Sequence, residues 1–329
     1  DGMPIHVTGN PRSDMLRPEL RPFYQKEVEA YQARYGDFIL VNTNFNHVNA
    51  FGPDMNLFKP TKNTGQKAKF GRAARGMDRN YAEGLRDHKQ AVFKDFQHII
   101  SRMEEAFPEN TIVVRPHPTE NHDAYRKIAD QYPRIHVTNE GNVVPWLMAT
   151  KAVIHNGCTT GVEAYVTGTP AISYRASINE TYDNGFYRLP NLMSHQCFAF
   201  DELREMLQKI LKGELGAADG DDRQRLIDDH LAGKTGSLAC ERMMDVLDKV
   251  SANMPRERFI SKRTQRWLVT RALHLAKHIK SKLPGSHTRP EFQRLRYPGI
   301  SHKELHTKLS QFQHLLGNSR ELKIEQISM

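Results

Sequence analysis

The feature that most restricts this fold is a march of short apolar, β-branched runs with helix-like segments between them. Ile39-Leu40-Val41 leads into Asn42-Thr43-Asn44-Phe45, and Thr111-Ile112-Val113-Val114-Arg115 leads into Pro116-His117-Pro118. Ile135-His136-Val137, Ala152-Val153-Ile154 and Ala171-Ile172-Ser173-Tyr174 follow. Gln196-Cys197-Phe198-Ala199-Phe200 closes the series before an acidic helix start at Asp201-Glu202. Near-continuous runs of this kind suit parallel strands covered on both faces. Between them, Val92, Phe93, Phe96, Ile99, Ile100 and Met103 recur at three- and four-residue spacing, one face of a helix that stops before Pro108. Shorter helices are expected over 121–131, 143–149, 201–211 and 238–250. The alternation predicts an α/β fold built on a doubly wound parallel sheet.

Two stretches depart from this rhythm. Some 35 residues between Phe45 and about Asn80 are rich in Gly, Asn, Lys and Arg and show little periodicity. A loop insertion over about 46–80 is expected, either disordered or folded over a ligand at the sheet edge. The start is also unusual. Asp1-Gly2-Met3-Pro4 runs almost directly into the strand-like Ile5-His6-Val7-Thr8. The chain is therefore read as a fragment whose N-terminal portion is missing.

Charge divides the chain. The formal net charge is +9. From Pro255 onward there are sixteen Lys/Arg against five Asp/Glu, a surplus of eleven, so residues 1–254 carry a deficit of two. A domain over 1–254 followed by a basic helical extension over 255–329 is the expected organisation. Basicity confined to the tail, with no aromatic stacking platform accompanying the charge, argues against a nucleic-acid partner. The three cysteines, Cys158, Cys197 and Cys240, are too few and scattered for a disulfide framework or a zinc cluster, and imply a reducing, cytoplasmic setting. No apolar run approaches the roughly 18 residues that span a bilayer.

In an open parallel sheet, ligands bind beyond the carboxyl ends of the strands, where strand order reverses. Polar residues gather at those ends here: Asn42 and Asn44, Arg115 and His117, and His155-Asn156. The most specific element is His155-Asn156-Gly157-Cys158-Thr159-Thr160-Gly161-Val162-Glu163, a strand exit that turns into a helix. A helix N-terminus offers unpaired N–H groups and partial positive charge to a phosphate. Gly157 and Gly161 would let the backbone approach it, and the Thr159 and Thr160 hydroxyls could donate to its oxygens. Glu163 is placed to accept from ribose hydroxyls. The plainer reading of Thr159 or Thr160 is a helix cap. In Arg115-Pro116-His117-Pro118, two prolines fix the direction of His117, which could bond a phosphate or a base edge while Arg115 adds charge. No carboxylate or cysteine spacing completes a metal site around these histidines. Cys158 lacks an identifiable base and reads as a small turn residue.

From Val7 to about Val250, the chain resembles the C-terminal domain of the bacterial surface carbohydrate biosynthesis protein family. The stretches that carry the resemblance are 7–14, 41–45, 114–122, Glu140-Gly141-Asn142-Val143-Val144-Pro145-Trp146 and 154–174. More distantly it is similar to GT-B glycosyltransferases that use nucleotide-activated donors. The resemblance implies a Rossmann-like, GT-B C-terminal half, with His117 on the nucleotide and Thr159 and Thr160 on its phosphate. Glu163 with Gly168 and Pro170 looks like the ribose position of UDP-GlcNAc 2-epimerases. The implied activity is transfer of a sugar, most simply CMP-linked, from a nucleotide-sugar donor to a surface glycan or lipid-linked acceptor, without metal or other cofactor. A CDP-polyol phosphotransferase, a UDP-sugar 2-epimerase-like enzyme and a non-catalytic nucleotide-sugar-binding module remain alternatives. In such proteins the catalytic base comes largely from the N-terminal domain, so no residue of this chain is named for that role. The helix expected over 261–283 carries Leu268, Ala272, Leu275 and Ile279 on one side. Lys262, Arg263, Arg266, Arg271, Lys277, Lys280 and Lys282 cover much of the rest. It reads as an interface for the missing domain or as a helix lying on an anionic membrane surface.

Overall fold

The structure is a computed structural model that describes residues 4–61, 67–183, 187–252, 259–283 and 290–317, with 322 and 324. Side chains of 259–266, 268, 292, 295 and 296 lie outside that description, among them the expected Lys262, Arg263, Arg266 and Leu268. So do Asp1–Met3 and 62–66 of the expected insertion. Six strands form one sheet: β1 (Phe38–Asn42), β2 (Thr111–Arg115), β3 (Ile135–Val137), β4 (Ala152–His155), β5 (Ala171–Tyr174) and β6 (His195–Cys197). The helices are α1 (Pro11–Asp14), α2 (Gln25–Tyr35), α3 (Arg79–Ala106), α4 (Asp123–Ala129), α5 (Val143–Ala149), α6 (Thr160–Thr167) and α7 (Arg188–Leu192). Beyond the sheet come α8 (Phe200–Leu211), α9 (Asp221–His230), α10 (Ala239–Ala252), α11 (Phe259–Ser281), α12 (Pro290–Arg296) and α13 (His302–Leu315).

All pairings are parallel and the strand order is β3-β2-β1-β4-β5-β6. This is a Rossmann-like α/β sheet, with a helical C-terminal region after it. Side chains alternate across the sheet, as strand geometry requires. Ile39 and Val41, Ile112 and Val114, Ile154 and Ile172 pack with Phe96, Ile99, Ile100 and Met103 of α3 and Leu203 and Leu207 of α8. On the other side, Phe38 meets Trp146 of α5 edge-on, and Trp146 stacks on Tyr31 of α2 at 3.9 Å. Both faces of β1 are buried, which is why its first four residues are apolar without interruption.

The chain divides into two compact units, Tyr24–Arg223 and Asp1–Phe23 together with Gln224–Met329. The first holds the sheet. In the second, Asp14 accepts from the N–H groups of Ala239 (2.8 Å) and Cys240 (3.1 Å), placing a carboxylate at the start of α10. Arg17 donates to the carbonyls of Gly236 (2.7 Å), Ser237 (2.9 Å) and Gly233, and Phe23 stacks on Phe312 at 4.2 Å.

Three expectations are revised. Ile5–Thr8 is not a strand: Ile5 is 91% and Val7 79% exposed, with no sheet partner among the described residues. The last strand ends at Cys197, because the Phe198 N–H is taken by Glu202 Oε2 at 2.7 Å and the chain enters α8 at Phe200. The described part of the insertion is ordered around a small core of Leu57, Phe58, Ala74, Ala82 and Leu85.

Candidate functional site

The strand order reverses between β1 and β4, so the crevice beyond their carboxyl ends is where such a sheet takes ligands. Asn42, the last residue of β1, lies in register with both Arg115 of β2 and His155 of β4. It is 3% exposed, and neither atom of its amide has a hydrogen-bond partner among the described residues. Leaving such a group unmatched costs roughly 1–3 kcal/mol. The side-chain oxygens of Asn44 and Asn156 are also buried without a partner, while Asn156 Nδ2 donates weakly to the Asn44 carbonyl at 3.5 Å. Three asparagine amides therefore crowd the β1/β4 exit, carrying bonding capacity that the described residues leave unused.

His155 does a different job from the one its position suggests. It is fully buried, and the Gly157 N–H donates to its Nδ1 at 3.0 Å. The proton therefore sits on Nε2, which donates to Ser194 Oγ at 2.8 Å, and the Ser194 hydroxyl in turn donates to the Pro190 carbonyl at 2.9 Å. Burial pushes the His155 pKa down to about 4, so the ring is neutral and shapes the turn rather than meeting a ligand. Gly157 has φ +81°, a conformation glycine adopts freely. Gly161 is needed for a different closeness than phosphate approach: a Cβ there would lie 2.7 Å from His155 Nε2.

Thr159 precedes α6 and is exposed, with no side-chain capping bond. The Thr160 hydroxyl is half-buried against Cys158 Sγ. Glu163 is buried in the first turn of α6. The Cys158 thiol is pushed up to about 11 by burial, which keeps it protonated and unreactive.

Arg115 bonds the loop after β3. Its Nη2 donates to the Gly141 carbonyl at 2.7 Å, with Glu140 and Asn139 carbonyls at 3.4 and 3.5 Å. Asn142 accepts from the Val144 N–H to start α5, and the Trp146 indole donates to the Glu140 carbonyl. The motif over 140–146 is thus a packed loop clamped by Arg115.

His117 is exposed, and a buried carboxylate fixes where it stands. Glu120 Oε1 accepts from the His117 N–H at 2.9 Å and the Thr43 hydroxyl at 2.8 Å, and Oε2 accepts from the Tyr125 hydroxyl at 2.6 Å. Burial raises the Glu120 pKa while these bonds oppose the rise. The Thr119 N–H donates to His117 Nδ1 at 3.3 Å, so the neutral ring carries its proton on Nε2. Among the described residues no group of His, Cys, Asp and Glu is arranged to hold a metal ion.

The structure adds a cluster with no signature in the local sequence. Lys89 of α3 is 4% exposed, and its ammonium lies 3.7 Å over the Tyr187 ring and 4.0 Å from Asp183 Oδ1. His88 Nε2 bonds the same carboxylate oxygen at 2.7 Å. Desolvation by burial lowers Lys89 to about 8 despite Asp183. Burial pushes Asp183 up, but its bonds from His88 and the Asn179 N–H, together with neighbouring charge, bring it below its ordinary value.

No protein-family model and no curated protein matches this chain. Among solved structures, it is similar to UDP-GlcNAc 2-epimerase from Neisseria meningitidis, at 13% identity over 63% of this chain and 46% of that one, with a TM-score of 0.35. The wall teichoic acid polymerase TagF gives 9% identity, 75% and 53% coverage and a TM-score of 0.40. UDP-GlcNAc 2-epimerase from Methanocaldococcus jannaschii gives 13%, 68% and 54%, and 0.35. The chain spans about half the length of these structures. Likenesses this distant leave the function to be argued from the chain's own residues.

Proposed function

We propose that this chain is the donor-binding half of a GT-B glycosyltransferase that moves a sugar from a nucleotide-activated donor, CMP-linked in the simplest case, to a surface glycan. The observation that carries the reading is Asn42. A fully desolvated amide with two unmatched atoms, at the reversal point of a Rossmann-like sheet, is what a polar ligand would repay. Asn44 and Asn156 add acceptors beside it, and the start of α6 faces the same exit from β4. As the bond between the sugar and its phosphate breaks, the phosphate keeps the electron pair and gains charge. The α6 N-terminus, with Thr159 and Thr160, would stabilise that charge in place without a metal ion. The acceptor hydroxyl forms the new bond to the sugar and loses its proton to a base outside these residues. Transfer of a polyol phosphate, epimerisation of a UDP-sugar and binding without catalysis would use the same crevice, and nucleotide preference separates them.

A thermal-shift series with CMP, CDP, UDP, GDP and TDP tests this, repeated on Asn42→Leu and Thr160→Ala. A ligand that binds only the folded state adds about 2.7 kcal/mol at a hundredfold excess over its dissociation constant. One nucleotide should raise the melting temperature of the wild type and lose that effect in both variants. Unliganded Asn42→Leu should melt at or above the wild-type temperature, since an apolar side chain of similar shape leaves no unmatched amide. A shift that survives Asn42→Leu unchanged would remove the crevice from the account.

We also propose that α11 rests on an anionic bilayer surface, which would make the protein peripheral at a cytoplasmic membrane face. Between 259 and 283 there are seven Lys/Arg and no Asp/Glu. Leu275 and Ile279 are 63% and 58% exposed on one side, with Lys277 and Lys280 toward the other. Among the described residues no helix is long and apolar enough to cross a membrane.

A further inference from the structure

The cluster on α3 lies where three segments meet. Tyr187, under the Lys89 ammonium, also lies against the α6 turn: a Cβ at Gly157 would come within 3.1 Å of its ring. The Tyr187 ring thus stands between Lys89 and the turn after β4.

The Lys89 charge is poorly matched there. Asp183 Oδ1 is taken by His88 at 2.7 Å, and Oδ2 accepts from the Asn179 N–H at 3.1 Å with Arg175 3.8 Å away. Lys89 stands 4.0 Å off, and none of its N–H groups donates a hydrogen bond to a described residue. One carboxylate serves both Lys89 and Arg175, so the cluster has more cationic than anionic capacity. A buried ammonium in that state favours an added anion.

We infer that Lys89, held over Tyr187 and beside Asp183, is the cation of an anion-binding subsite that takes the phosphate or diphosphate of a nucleotide seated in the β1/β4 crevice. The inference rests on the donor-binding reading for the nucleoside part of the ligand and on Lys89 alone for the anionic part. Asp183 then acts as a positioning residue, because it orients the ammonium without meeting the ligand.

Calorimetric titration separates the two. Inorganic pyrophosphate, CDP and UDP, and the nucleosides cytidine and uridine are titrated into the wild type, Lys89→Met and Lys89→Arg. Lys89→Met should weaken pyrophosphate and the preferred nucleotide at least tenfold, leave nucleoside affinity unchanged, and be partly rescued by Lys89→Arg. If the wild type binds nucleotide and Lys89→Met binds it equally well, the subsite is wrong and the donor-binding reading stands. If the wild type binds pyrophosphate through Lys89 but no nucleotide or nucleoside, the subsite stands and the donor-binding reading fails. Binding of none of them overturns both. Should Lys89→Met fail to fold, acylation of wild-type lysines followed by mass spectrometry decides the matter. Pyrophosphate should protect Lys89 selectively, and equal labelling with and without it would sink the proposal.

Discussion

At the scale of single residues, side chains at the strand exits divide into those that hold the site and those with capacity left over. His155 and Glu120 belong to the first group, since their side chains bond the protein's own turns and loops. Asn42, Asn44 and Asn156 belong to the second. His155 makes a testable case. Its folded pKa of about 4 lies below the unfolded value near 6.5, so the unfolded chain takes up the proton first as pH falls. The stability it contributes is complete above pH 6.5 and is lost progressively toward pH 4, by roughly 3 kcal/mol if the full shift is realised. His155→Asn keeps an acceptor for the Gly157 N–H but cannot titrate. Urea denaturation from pH 7 to 4 should therefore show a shallower loss of stability in that variant than in the wild type. Parallel curves would mean that His155 does not titrate as its burial requires.

At the scale of elements, what could be read from the sequence follows from how much each segment buries. The β-branched runs are covered on both faces, and this shows in their composition, so five of the six strands fall where expected. α2 was not foreseen, because only Val28, Tyr31 and Tyr35 face the core and the rest of the helix is polar. The first half of α3 is polar for a related reason, since its buried side includes His88 and Lys89. Those residues, with Asp183 on a distant loop, look like ordinary surface charges until the fold brings them together. Arg115 and His155 were legible as exits but not in role, because the loops they hold are set by contacts far along the chain. α11 offers a prediction of its own. Vesicles containing phosphatidylserine should carry the protein in a flotation assay, and a variant with Lys277, Lys280 and Lys282 changed to Glu should stay behind. Each cation near such a surface contributes about 1 kcal/mol, so the triple reversal should be decisive. Equal flotation of both proteins, or of neither, would remove the membrane from the account.

At the scale of the whole molecule, the order β3-β2-β1-β4-β5-β6 gives the sheet a single reversal point. The asparagine exit lies at the carboxyl ends of β1 and β4, and the Lys89 cluster reaches the turn after β4 through Tyr187. The packed strand bodies hold that edge in place, as pre-organised sites require. The most direct test is an amide-correlated NMR titration of the protein with the nucleotide that stabilises it best. The side-chain NH₂ signals of Asn42 and Asn156 and the backbone signals of 156–163 should move together and saturate at one affinity, while those of α8 and α10 stay in place. Shifts confined to other surfaces, with the Asn42 amide unmoved at saturation, would contradict the account.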